Sequence, residues 1–223
     1  MRTWFGGETS TAVLRRPVGL LARLACDLVV VGTEHIPMSG PVVFAPNHSS
    51  LIDPPFVSLA VLRYTHYLAL DELFGHSRVF DAVTKHFGTI PMSRTFPPLG
   101  AMKAALAVLD EGGAMTIFPE GRRADRWGQS VTKRGAAWLA FATGAPVVPV
   151  ALEGTAGALS LAQSKFRRIS VRVTVLEPID PLAFLSFESP TRAIMNEWED
   201  AMSMVLGDRE THRAMGKDGQ GEL

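Results

Sequence analysis

The stretch Ala45 to Pro55, A-P-N-H-S-S-L-I-D-P-P, sets an imidazole and a carboxylate five residues apart. On an unbroken helix, residues at i and i+5 point about 140° apart, because the helix turns once in about 3.6 residues. A strand–turn–helix corner brings such a pair together. There the Asp53 carboxylate can hold one nitrogen of His48 and leave the other free to take a proton from an alcohol. Taken singly, Asp53 before Pro54-Pro55 is an N-cap and His48 a buried histidine. Taken together they form a two-residue general base.

Such a corner needs a strand before it and a helix after it. Val42 to Ala45 is an apolar run of strand length, and Pro54-Pro55 opens a helix at positions whose N–H groups would be unpaired anyway. The helix is expected to run through Phe56 to Tyr64. Further strands are expected at Leu28–Gly32, His66–Leu70, Thr89–Met92, Ala114–Phe118, Val147–Leu152 and Val171–Leu176. Further helices are expected at Arg78–Phe87, Pro98–Glu111, Val131–Thr143 and Thr191–Val205. Pro149 points to an edge or irregular position for its strand. The alternation of strands and helices predicts an α/β fold with a central mixed, mostly parallel sheet flanked by helices. In such folds sites gather at strand ends, and His48, Arg94 and the Glu120–Arg123 turn each follow a strand. That turn offers Glu120 as an acceptor, backbone N–H donors, and the positive charge of Arg122 and Arg123.

Three further segments join N-H-S-S-L-I-D-P in order: G-T-I-P-M-S-R at Gly88–Arg94, F-P-E-G-R-R at Phe118–Arg123 and V-V-P-V at Val147–Val150. Together they resemble the glycerolipid acyltransferases, the family that includes 1-acylglycerol-3-phosphate acyltransferase and carries an NHx4D motif. The resemblance implies acyl transfer to a hydroxyl, with His48 and Asp53 catalytic. It also implies an acceptor phosphate held by Arg94, Arg123 and Lys133, the last matching a lysine-glycine start of the family's next helix, with Glu120 and Gly121 as further substrate-binding residues. It implies acyl-CoA or acyl carrier protein as co-substrate, a lysophospholipid acceptor, no further cofactor and no metal. Where the family has Thr, this chain has Arg122, which leaves open another lysophospholipid or a lipid-linked alcohol as acceptor. A reading of another class is a non-catalytic protein that docks on anionic membrane. A metal hydrolase built on His48, Asp53 and Glu120 fits poorly, because His66, His76 and His86 have no ligand spacing.

The 223 residues suit one domain, with an acyltransferase body at 28–207 between an N-terminal segment, 1–27, and a polar tail, 208–223. Residues 1–10 show no secretory-signal arrangement. Residues 11–27 intersperse Arg15, Arg16 and Arg23 among apolar positions at helical spacing. Too broken to span a bilayer, that segment reads either as an interfacial helix on anionic head groups or as a surface helix. The expected location is the cytoplasmic face of the cell membrane, as a peripheral or monotopic protein. Net charge is zero overall, but residues through Leu176 carry 18 basic against 12 acidic groups, and those from Glu177 carry 4 against 10. This imbalance is too small to indicate nucleic acid. The single cysteine, Cys26, rules out an intramolecular disulfide and reads as a packing residue.

Overall fold

The computed structural model describes residues 26–71, 74–75, 81, 84, 88–93, 99–124, 126–156 and 169–207. The segment expected to be an N-terminal helix up to residue 25, Arg94 with its expected acceptor role, His76, His86 and the tail 208–223 lie outside the described residues.

Seven strands form one sheet: β1 (Cys26–Val31), β2 (Val42–Pro46), β3 (His66–Leu70), β4 (Ile90–Met92), β5 (Ala114–Thr116), β6 (Val147–Glu153) and β7 (Ile169–Val175). Four α-helices are described: α1 (Asp53–Ala60), α2 (Leu99–Asp110), α3 (Gly135–Thr143) and α4 (Pro190–Leu206). The spatial order of the strands is β1-β7-β6-β2-β5-β3-β4. From β6 to β4 every pairing is parallel, whereas β7 is antiparallel to β6 and carries β1 parallel beside it. This is the mixed, mostly parallel sheet that the alternation of elements implies.

Side chains along β2 and β6 alternate between two cores because successive strand residues point to opposite faces. Val43, Ala45, Val147 and Ala151 pack with α2, α3 and α4, while Val42, Phe44, Val148, Val150 and Leu152 pack with Phe56, Val57 and Ala60 of α1. Both faces of β2 are therefore apolar and every residue in it is buried, as a central strand of a parallel sheet requires. Trp198 of α4 is fully buried, and its indole N–H donates to the Ala45 carbonyl at 2.7 Å. That bond ties α4 to the strand that delivers His48 and satisfies the one polar group of a large buried ring.

One local expectation is narrowed and two are corrected. Pro149 marks an irregular position rather than an edge, since β6 lies between β2 and β7. Its carbonyl accepts from Leu176 N–H at 3.0 Å, just past the end of β7, so the missing proline N–H falls where the ladder to β7 is already ending. The helix after the corner stops at Ala60 rather than Tyr64. Leu62 adopts a φ of 55°, and the Arg63 guanidinium donates to the carbonyls of Pro37, Gly40 and Gly112, contacts that a continued helix would forgo. The first strand begins at Cys26, inside the segment expected to be helical through Asp27. Cys26 is buried and belongs to the core on the α1 face.

Tyr67 of β3 anchors the start of α1. Its hydroxyl donates to the Pro54 carbonyl at 3.0 Å and lies 2.6 Å from the Ser58 hydroxyl. Burial pushes the phenol's pKa up, against the opposing hydrogen bonds from Ser58 and Thr116. Folding thus favours the neutral phenol: its contribution to stability is full below the unfolded value of about 10 and is lost as pH rises above it. Tyr67→Phe should therefore weaken the decline in stability above pH ~10, at a cost of about 1 kcal/mol near neutrality from the lost hydrogen bond. Urea denaturation midpoints measured across the alkaline range test this, and parallel declines for both proteins would contradict it.

Candidate active site

The strand β2 ends at Pro46, and the chain turns through Asn47, His48, Ser49 and Ser50 before α1 begins. Asp53 is the first residue of that helix rather than its cap; Ile52 occupies the cap position and makes no side-chain cap bond. The reason is local: Pro55 removes one of the two N–H groups a capping carboxylate could accept, and the other, of Phe56, donates to the Ile52 carbonyl at 3.4 Å. The carboxylate turns back over the corner instead. Asp53 Oδ2 accepts from Ser49 N–H and Ser50 N–H, both at 2.7 Å, and lies 2.8 Å from His48 Nδ1. With two amides already donating to that oxygen it is an acceptor, so His48 Nδ1 carries the proton and Nε2 is left as the basic nitrogen.

The pair is asymmetric in exposure. The Asp53 side chain is 0% exposed, whereas His48 keeps 18%. A buried carboxylate can orient and stabilise the imidazole, while the imidazole reaches a substrate. Phe118, just after β5, stacks on the His48 ring with centroids 4.1 Å apart and so fixes its plane. Three more contacts hold the corner to neighbouring elements. The Asn47 side-chain amide makes two bonds to the backbone of Leu152 on β6, accepting from its N–H at 2.7 Å and donating to its carbonyl at 3.0 Å. Ser49 and Thr155 bridge through their hydroxyls at 2.8 Å. His48 itself is tied to the turn after β5: its N–H donates to Glu120 Oε1 at 3.4 Å and its carbonyl accepts from Ala124 N–H at 2.8 Å.

His48 faces a cavity of about 330 Å³ whose wall includes Glu120, Arg126, Trp127, Leu152, Glu153 and Leu206. Of the residues that the resemblance assigns to the acceptor, Glu120 lies in this wall and Gly121, Arg123 and Lys133 do not. Gly121 and Lys133 are nevertheless neighbours. Gly121 has a φ of 64°, and a Cβ there would stand 3.0 Å from Lys133 Nζ, so the lysine chain runs across the bare face of the glycine. Lys133 N–H donates to the Pro119 carbonyl at 2.8 Å, which holds the lysine in the loop beside the turn. For that reason α3 starts at Gly135, after Lys133, rather than at Val131. Arg122 donates from Nε to the Ser130 hydroxyl at 3.0 Å, and the side chain of Arg123 is exposed. Gly121→Ala should both strain a left-handed turn and displace the lysine, raising the acceptor KM by roughly tenfold, about 1.4 kcal/mol. Initial-rate kinetics against acceptor concentration test it, and an unchanged acceptor KM would show that Lys133 holds no acceptor.

The corner was legible from the spacing of His48 and Asp53, but Arg126, Trp127 and Phe118 were not singled out by type or spacing. Phe118 precedes the Pro-Glu-Gly turn, a placement that signals proximity to the site. Trp127 and Arg126 lie beyond it, in a stretch with no periodicity. Among the described residues no group of three His, Cys, Asp or Glu side chains gathers as a metal site. No described helix is long and apolar enough to cross a membrane.

A family model described as Acyltransferase matches residues 27–153. The chain is 29% identical over 170 residues to a 1-acyl-sn-glycerol-3-phosphate acyltransferase of Bacillus subtilis (strain 168), covering 75% of this chain and 82% of that protein. It is 27% identical over 154 residues to a chloroplastic 1-acyl-sn-glycerol-3-phosphate acyltransferase of Brassica napus, covering 67% of this chain but only 44% of that longer protein. Among solved structures, the 1-acyl-sn-glycerophosphate acyltransferase of Thermotoga maritima superposes with a TM-score of 0.65 over 90% of this chain and 83% of that one. At 23% sequence identity that superposition speaks for the fold. Because the family match takes in more than half of the 223 residues, from the first strand to the end of β6, the chain belongs to the acyltransferase family and is an O-acyltransferase.

Proposed function

We propose that the protein transfers a fatty acyl group from an acyl thioester, acyl-CoA or acyl carrier protein, to the free hydroxyl of 1-acylglycerol-3-phosphate, giving phosphatidic acid. The observation that carries this reading is the 2.8 Å contact between the buried Asp53 carboxylate and an imidazole that opens on a cavity. His48 Nε2 takes the hydroxyl proton as the acceptor oxygen bonds to the thioester carbonyl carbon. The tetrahedral intermediate then expels the thiolate, which takes that proton from the imidazolium. The base is regenerated without a covalent acyl-enzyme. Arg94, Arg123 and Lys133 hold the acceptor phosphate, with Glu120 and Gly121 shaping the turn between them, and this placement sets the hydroxyl against His48. The acceptor and the phosphatidic acid product reside in a bilayer while the thioester donor comes from water, so the enzyme works at a membrane surface, on the cytoplasmic face where acyl thioesters are made. That the relatives from Bacillus subtilis and Brassica napus are both 1-acyl-sn-glycerol-3-phosphate acyltransferases supports the choice of acceptor.

The test is direct. Purified protein given lysophosphatidic acid and an acyl thioester should release free thiol and form phosphatidic acid in equal amounts. A panel of lysophospholipid acceptors should show lysophosphatidic acid as the preferred one. Thiol release without acylated lipid, or preference for an acceptor lacking a terminal phosphate, would refute the proposed substrate.

A further inference from the structure

We infer that Arg126 takes the phosphate at the end of the acyl donor's pantetheine arm, so that the two anionic substrates sit on opposite sides of the turn Phe118–Ala124. This rests on the acyl-transfer reading above.

The reaction brings two negatively charged substrates to one imidazole, and each needs its own cation. The acceptor ends in a phosphate monoester, which carries close to two charges at neutral pH. The donor's arm ends in a phosphate with a single charge, a feature common to CoA and to the acyl carrier protein. The cations assigned to the acceptor, Arg123 and Lys133, do not line the cavity that holds His48. Arg126 does, and its side chain is exposed at the rim.

The rest of the cavity wall favours the donor's arm over the acceptor's head. Glu120 and Glu153 line it, and two carboxylates repel a dianionic phosphate placed among them. The pantetheine arm is uncharged between its phosphate and its sulfur. It carries amide N–H and hydroxyl donors that carboxylates accept, joined by methylene groups. Trp127, Leu152 and Leu206 supply apolar wall for those methylenes. The cavity, about 330 Å³, falls in the usual range for a small-molecule site. Trp127 is itself held rigid, donating from Nε1 to the Ser203 hydroxyl at 3.3 Å and packing edge-on against Trp198 at 5.3 Å. An arm laid from Arg126 along this wall brings its thioester to His48 from the β6 side, while the acceptor hydroxyl approaches from the side of Gly121 and Lys133.

The experiment compares three donors in the full-length enzyme with lysophosphatidic acid as acceptor: acyl-CoA, acyl carrier protein, and an acyl-pantetheine thioester that lacks the phosphate. In Arg126→Ala, the preference in kcat/KM for phosphate-bearing donors over acyl-pantetheine should fall at least tenfold, consistent with loss of one charge-assisted hydrogen bond. The acceptor KM should stay within twofold. Arg126→Lys should restore part of the preference, and Arg126→Gln serves if the alanine variant is poorly folded. A loss confined to acyl-CoA, or to acyl carrier protein, identifies the donor that Arg126 reads. An equal loss on all three donors, no loss on any, or a rise in acceptor KM instead would overturn the assignment. Wild-type enzyme that turns over none of the three would instead refute the acyl-transfer reading on which the assignment rests.

Discussion

His48→Ala should lower kcat for acyl transfer by roughly 10²- to 10⁴-fold, the usual contribution of a positioned general base. An alcohol is a poor nucleophile near neutral pH, and in this site His48 Nε2 is the basic nitrogen, because Nδ1–H is committed to Asp53. KM for either substrate should change little, since the imidazole acts on the proton in flight rather than on a bound charge. Neither should the fold suffer, for the ring is partly exposed and its loss opens onto an existing cavity. Single-turnover measurement separates chemistry from binding and product release. A variant that keeps the wild-type chemical rate would remove His48 from the mechanism and leave the geometry of the corner without a function.

Asp53→Asn should lower kcat by on the order of 10²-fold or more while leaving the corner in place. The substitution keeps volume and an oxygen that can still receive the amides of Ser49 and Ser50, so the turn has a reason to persist. What disappears is the negative charge facing the imidazole, and with it the stabilisation of the imidazolium that forms as the hydroxyl is deprotonated. Asp53→Ala goes further. It strands three donors around a buried site, at about 1–3 kcal/mol for each that stays dry, so the alanine variant should be destabilised by several kcal/mol as well as inactive. The contrast between the two variants is the useful observation: a folded, slow asparagine enzyme beside an unstable alanine one. Equal melting temperatures for both would mean that the carboxylate does not hold the turn.

Asp53 also shows how far spacing alone carries. The i, i+5 separation was enough to require a corner rather than a helix, and the two prolines were enough to place the helix start. Together they even explain, after the fact, why the carboxylate folds back: Pro55 removes one donor it would otherwise cap, and the N–H of Phe56 is taken by Ile52. The alternating faces of β7 follow directly from apolar periodicity. Where periodicity gave no signal, the expectation failed. The residues Val61 to Tyr64 contain no glycine or proline to stop α1, and what ends the helix is Arg63 reaching carbonyls of Pro37, Gly40 and Gly112, up to 49 residues away in sequence. Pro149 looked like an edge signal because a sequence does not disclose that the ladder to its partner strand is interrupted between Leu176 and the Val147–Ile179 bridge, where no proline N–H is needed.

By itself the order of residues determined the chemistry on offer, a base with its orienting carboxylate and a set of cations after successive strands, because those depend on side-chain type and on turns closed within six residues. It determined the alternation of elements, and hence the α/β class, for the same local reason. Only the tertiary structure decided which groups share one cavity. Strand order β6-β2-β5 sets the ends of three chain-distant strands side by side, so that Leu152 holds Asn47, Phe118 stacks on His48, and Arg126 with Trp127 closes the wall. Those contacts are fixed by sheet pairing and by burial of Trp198 beneath the corner, long-range terms that no window of sequence contains.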